Sequence, residues 1–309
     1  MPLRTLLIAA ALTTLFCTTP AVADDWPNRP LTMMIGFAAG GSTDIQGRVL
    51  ARVMEDFLGQ PVNVVNRPGA GGAVALTHLA RNRDGHTFLF GGVTALTFTP
   101  IVMPVTYEID DFDYLATLAI GQNAIVAAVD QPFGTFEELL EYGRENRMTY
   151  AQQTALDEAI MRRIAAAEGM DVAIVPTGGG GGMAPLVLGR EVDFAYSGGT
   201  HAQYTPGGEM VVLAFMSPER SPFYPDVPTL LELGHAFTME DYRSIIVPKD
   251  LPEHARERLI KAAEHATESE RFRHITERNT FFPVIFHGSE ETEANIRRIR
   301  ADNERLLGD

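Results

Sequence analysis

The residues able to do chemistry gather in three glycine-rich turns and around one serine. The first turn is Gly36-Phe37-Ala38-Ala39-Gly40-Gly41-Ser42-Thr43-Asp44, between an apolar strand and a helix. It departs at one position from the Gly-x4-Gly-Lys-Ser/Thr phosphate loop, because Ser42 stands where the lysine should be. Losing that charge removes what the terminal phosphates of a nucleotide need. Backbone N–H groups at a helix N-terminus remain, with two hydroxyls beside them. They form an anion cradle of modest strength, better suited to a carboxylate than to a triphosphate. The same residues also fit a plain tight turn in which Ser42, Thr43 or Asp44 caps the helix.

The second turn, Asn66-Arg67-Pro68-Gly69-Ala70-Gly71-Gly72, begins a dinucleotide-type Gly-x-Gly-x-x-Gly pattern. Val74 fills the last position and weakens that reading. Arg67 reads as a structural charge. The third is Thr177 followed by glycine at every position of 178–182. A regular element is not expected there, since glycine gives up the most backbone freedom on ordering. A mobile loop or a close-approach surface is expected instead. Ser197, in Ala195-Tyr196-Ser197-Gly198-Gly199, approaches the Gly-x-Ser-x-Gly nucleophile elbow. Pro206 and Gly207-Gly208 cut short the long helix that an elbow requires. An exported serine hydrolase using Ser197 is therefore the competing enzyme reading. None of the eight histidines sits in an HExxH or His-x3-His pattern, and with one cysteine no multi-cysteine zinc site can form. No metal and no cofactor are expected.

These turns need a scaffold, and hydrophobic spacing supplies one. Strands are expected at 31–37, 62–65, 87–90, 123–129, 149–152, 172–175, 192–196, 211–215 and 245–247. Helices are expected at 43–58, 73–81, 135–147 and 156–168, then at 251–266, 268–278 and 290–307. Thr135 with Glu138 three residues on reads as a capping box. Alternation of strand and helix with short links argues for parallel α/β layers. A chain of 309 residues suits two domains. Its 40 acidic against 25 basic residues, a net charge of −15, argue against nucleic-acid binding. Residues 1–23 read as a secretory leader. Arg4 opens it, an apolar run over 6–16 follows, and Ala21-Val22-Ala23 is the cleavage site. The expected mature protein starts at Asp24, is exported and lacks cysteine.

Taken together, residues 37–44 (FAAGGSTD), 66–72 (NRPGAGG) and 84–89 (DGHTFL) resemble the Bug-type (TctC-like) extracytoplasmic solute receptors. These are the periplasmic substrate-binding proteins of tripartite tricarboxylate transporters. Val175-Pro176, Leu188-Gly189 with Val192-Asp193, residues 217–222 (SPERSP), residues 225–229 (PDVPT) and Glu232-Leu233-Gly234 extend the likeness over the mature chain.

The resemblance implies an α/β fold like the type II periplasmic binding proteins, with a hinge and an interdomain ligand cleft. Domain 1 would be discontinuous, 24–121 plus 239–309, and domain 2 the insert, 122–238. A periplasmic monomer is implied that takes a small carboxylate to membrane permease subunits. A solute sensor feeding a membrane signalling partner is a close cousin. Carried over residue by residue, Gly40, Gly41, Ser42 and Thr43, flanked by Ala39 and Asp44, would present donors to a ligand carboxylate. Thr94 lies where the family also lines its cleft. Domain 2 departs from the family pattern. Gln152, Gln153 and Thr154 replace a Ser-x-Gly-x-Gly-Ser turn. Thr177 and Gly179 stand in a Val-Pro-Tyr-Lys-Gly segment that has lost tyrosine and lysine. Ser197 replaces an aspartate. These substitutes imply a far end met by amides and hydroxyls, or a second carboxylate held without a lysine.

Overall fold

The computed structural model describes residues 26–308, with side chains through Arg305. The leader at 1–23 and its cleavage site lie outside the described residues. Two sheets divide the chain. The first has six strands: β1 (Leu31–Ile35), β2 (Val62–Asn66), β3 (Thr87–Gly91), β4 (Phe112–Ile120), β10 (Tyr242–Pro248) and β11 (Val284–His287). They lie in the order β11-β4-β10-β3-β1-β2. The second has five: β5 (Asn123–Ala128), β6 (Met148–Gln152), β7 (Val172–Pro176), β8 (Phe194–Gly198) and β9 (Met210–Phe215), in the order β7-β6-β8-β5-β9.

The helices are α1 (Ser42–Leu58), α2 (Ala73–Arg81), α3 (Thr94–Thr97), α4 (Thr99–Val102), α5 (Phe136–Glu145), α6 (Ala155–Glu168), α7 (Gly180–Leu188), α8 (Glu253–Glu268), α9 (Glu270–Arg273) and α10 (Ser289–Gly308). They cover both faces of each sheet. One face of the first sheet packs Leu50, Val53 and Met54 of α1 with Leu259 and Ala263 of α8. Its other face packs Leu76 and Leu79 of α2 with Ile296 and Ile299 of α10. In the second sheet Leu139 of α5 and Ile160 of α6 take one face, and Met183 and Val187 of α7 the other. Strands covered on both sides read as unbroken apolar runs, and every residue of β3 and of β5 is buried. None of the described helices is long and apolar enough to cross a membrane.

The chain passes between the sheets at two adjacent places. Gly121 N donates to Asp241 O at 2.7 Å, and Asn123 Nδ2 donates to Met239 O at 2.9 Å.

Three expectations from the sequence change. The sheets are mixed: β1 with β2 and β3, and β6 with β7 and β8, are parallel. Strands β10, β11, β5 and β9 pair antiparallel, because β10 and β5 enter their sheets from the crossings rather than through a helix. The stretch at 268–278 is not one α-helix, since α9 widens into a π-helical turn at His274–Asn279. The glycine run is irregular only at Gly178 and Gly179. Helix α7 starts inside it at Gly180, and the expected close approach is present, since neighbouring atoms press too close for side chains at Gly180 and Gly181.

Candidate ligand site between the two sheets

Helix α1 begins with its first turn at the junction of the sheets. Gly41 is its N-cap in extended conformation, with no side chain to satisfy the first amides. Those donors reach across to the second sheet. Ser42 N donates to Thr200 Oγ1 at 3.2 Å, and Ser42 Oγ donates to Gly198 O at 2.6 Å. Nearby, Ala38 N donates to Gly178 O at 2.7 Å. The two halves therefore touch through backbone and hydroxyl groups.

Beside this contact sits a buried ion pair. Arg243 Nη1 meets Asp241 Oδ2 at 2.7 Å, with the side chains 4% and 7% exposed. Asp241 Oδ1 also accepts Val93 N at 2.7 Å. Arg243 Nη2 donates to Gly198 O at 3.0 Å, and its guanidinium lies 4.6 Å over the Phe282 ring. Gly198 O thus accepts from both Ser42 and Arg243.

Phe37, Gly41, Ser42, Thr43, Thr94, Gln153, Thr154, Tyr196, Asp241 and Arg243 all face the small cavity enclosed here. Its volume, about 20 Å³, is the room of a single water. That is too small for a metabolite. A second cavity of about 420 Å³ adjoins it and shares Gly71, Gln153 and Thr154. Gln152 and Thr177 line this neighbour.

The remaining expected residues are engaged elsewhere. Asp44 accepts from Gly40 N at 3.0 Å, from Arg48 Nε at 2.9 Å and from Asn66 Nδ2 at 2.9 Å. Burial raises its pKa, but these three donors outweigh burial and hold it below the usual carboxylate range. Ala39 presents its carbonyl to Gly181, and Gly179 caps α7 against the Phe37 ring. Ser197 is wholly buried. Its Oγ accepts from His201 N at 3.1 Å and lies 3.0 Å from His201 Nδ1. Burial drives the His201 pKa down to about 3, and its Nε2 has no partner.

On the second-sheet wall, Thr154 caps α6. Asp157 Oδ1 accepts from Thr154 N at 2.6 Å, from Thr154 Oγ1 at 2.7 Å and from Gln153 N at 3.3 Å. Burial pushes the Asp157 pKa up to about 7 against the pull of these donors.

Asp241, Arg243, Tyr196 and Phe37 were not picked out from the sequence. A signal for the first two was present. In a strand, residues two apart share a face, and two opposite charges on one face beside the apolar run Ile245-Ile246-Val247 are unusual. Among the described residues, no group of three or more His, Cys, Asp or Glu side chains could hold a metal.

A model described as "Tripartite tricarboxylate transporter family receptor" matches residues 47–300. The UPF0065 protein in the gbd 5′ region of Cupriavidus necator is 32% identical over 240 residues, 74% of this chain and 72% of that one. The structure of the periplasmic binding protein BugD superposes with a TM-score of 0.84 at 26% identity, covering 92% of this chain and 98% of BugD. MatC from Rhodopseudomonas palustris, solved with bound malate, superposes with a TM-score of 0.81 at 23% identity, covering 91% and 100%.

Proposed function

Since the chain belongs to the tripartite tricarboxylate transporter receptor family, we propose that it captures a small carboxylated metabolite between its two sheets and delivers it to permease subunits in the membrane. One observation carries this reading. The uncapped start of α1 opens into the cavity between the sheets, with the Ser42 amide and hydroxyl aimed across it. Amides at a helix start and a hydroxyl are donors that a carboxylate accepts. Three charge-assisted bonds of about 1.5–3 kcal/mol each approach the roughly 8 kcal/mol of a micromolar complex.

In this reading residues 24–121 with 239–309 form one lobe and residues 122–238 the other. The paired crossings near Gly121 and Asp241 act as the hinge. Removal of residues 1–23 would leave a monomeric periplasmic receptor that needs no cofactor. The malate held by MatC supports a carboxylate as the ligand class.

The hydrolase reading is weaker. Ser197 and His201 pair at 3.0 Å, but both are fully buried, and the far ring nitrogen lacks the carboxylate that would orient it. The test is calorimetry with a panel of small carboxylates and esters. Saturable binding without turnover supports the receptor. Ester hydrolysis abolished by Ser197→Ala overturns it.

A further inference from the structure

The two walls of the cavity are not equivalent. On the first-sheet wall a guanidinium stands beside the start of α1. Arg243 is 4% exposed on its side chain, lines the cavity, and keeps Nε buried without a partner. Its Nη2 and the Ser42 hydroxyl grip a single acceptor, the Gly198 carbonyl of the opposite wall. That is the arrangement a carboxylate oxygen would meet once Gly198 moves away.

On the second-sheet wall the corresponding helix start is already taken. The amides of Gln153 and Thr154 and the Thr154 hydroxyl are spent on Asp157, so the chain supplies its own carboxyl group at α6. What this wall offers the cavity otherwise carries no formal charge: the Gln153 amide, the Tyr196 ring, and the backbone of Gly198 and of Gly180 at the start of α7. Asp241 is also committed, since Oδ1 takes Val93 N and Oδ2 takes Arg243. A ligand ammonium therefore meets only a carboxylate already neutralised by Arg243.

We propose that Arg243 is the cation that holds the ligand carboxylate, and that the site selects a monocarboxylate whose far end is uncharged and polar. This rests on the receptor reading above and narrows it. A second carboxylate would face the occupied start of α6, where no Lys or Arg of that wall lines the cavity and Arg162 of the adjoining one is paired with Glu158. A guanidinium presents a rigid donor fork matched to one carboxylate, so a lysine is not needed on either wall. The Gly198 carbonyl stands in for the ligand oxygen when the halves close on each other.

The experiment compares diacids with their half-amides by calorimetry at pH 7.5: succinate with succinamate, glutarate with glutaramate, adipate with adipamate. These pairs match in length and shape and differ in one charge. The half-amide of the best-fitting length is expected to bind at least about tenfold tighter than its diacid. Arg243→Gln is expected to weaken it by about thirtyfold or more. That variant leaves Asp241 buried without its partner and could fail to fold. Asp241→Asn combined with Arg243→Gln leaves no unpaired buried charge and is expected to show the same loss.

A diacid that binds as tightly as its half-amide, or tighter, overturns the selection for one charge. Binding by the neutralised double variant within about threefold of the parent overturns the role of Arg243. Either result leaves the receptor reading standing. If no carboxylate of either kind binds the parent protein, that reading falls and takes this inference with it.

Discussion

Gly181, in the first turn of α7, lies directly against the carbonyl oxygen of Ala39 on the opposite side of the cleft. A Cβ added there would sit well inside the contact distance of that backbone atom. Gly181→Ala should therefore hold the halves apart without harming either one, since alanine is the better helix former by about 0.8–1 kcal/mol. A ligand that needs the closed form then binds more weakly in proportion to the closed population lost. The expected outcome is a larger radius of gyration in X-ray scattering and an affinity reduced by at least about tenfold. An unchanged radius with unchanged affinity would show that closure does not pass through this contact.

Gly41 tests the facing wall. A Cβ there would stand 3.1 Å from Gly181 N and 3.5 Å from Gly180 N, and its φ of −78° suits any residue. Gly41→Val keeps the backbone unstrained but crowds the cradle with a branched side chain. Carboxylate affinity should fall by more than about tenfold. The melting temperature should move only a few degrees. Normal binding by this variant would place the ligand elsewhere.

How far the site could be read from sequence follows from the range of its contacts. Gly41, Ser42 and Thr43 were legible because strand, glycine turn, hydroxyl and helix occur in order along one short stretch. Asp44 belongs to the same stretch, yet it turns to Arg48 and Asn66, partners that only folding identifies. Arg243 stayed hidden because its meaning depends on β10 lying between β3 and β4, about two hundred residues after α1. The glycine run misled through propensity. Glycine disfavours a helix by about 1 kcal/mol, yet Thr200 and Ala39 approach Gly180 and Gly181 too closely for any side chain. The alternation of strands and helices was legible, but the direction of β10 and β5 depends on chain crossings that no local pattern encodes.

Ser42→Ala isolates one hydroxyl. Its Oγ is the donor at 2.6 Å to Gly198 O and faces the cavity. If that donor passes to a carboxylate on loading, its loss should cost about 1.5–3 kcal/mol, or roughly tenfold to a hundredfold in affinity. Isothermal calorimetry measures this directly. A loss under about twofold would mean that the amides alone hold the anion.

Ser197→Ala should separate structure from chemistry. Its hydroxyl is the partner of two His201 nitrogens in a fully buried place, so removal strands buried polar groups. The expected cost is about 1–3 kcal/mol of stability, read as a lower midpoint in denaturant. Carboxylate affinity should stay within about twofold, because Ser197 does not line the cavity. A sharp loss of affinity with full stability would place this serine at the ligand.

His201 also sets an acid limit on the fold. Burial among Ser197, Phe215 and Tyr224 lowers its pKa to about 3, against about 6.5 when unfolded. Between these values the unfolded chain binds a proton that the folded chain refuses. The stabilising contribution is therefore complete above about pH 6.5 and drains away as pH falls towards 3. At pH 5 the loss from this group is about 2 kcal/mol. Asp157 works in the opposite sense. Its folded pKa is raised to about 7, so its contribution is present at low pH and fades as pH rises through 7. The parent profile sums both slopes, and a difference between two proteins separates them. His201→Phe keeps an aromatic ring against Phe215 and Tyr224 but cannot titrate. Urea unfolding of parent and variant from pH 7.5 to 4.5 should give a stability difference that shifts in favour of the variant as pH falls, by about 1.4 kcal/mol per unit below 6. A difference constant across that range would mean that His201 reaches solvent and takes up its proton in the folded protein.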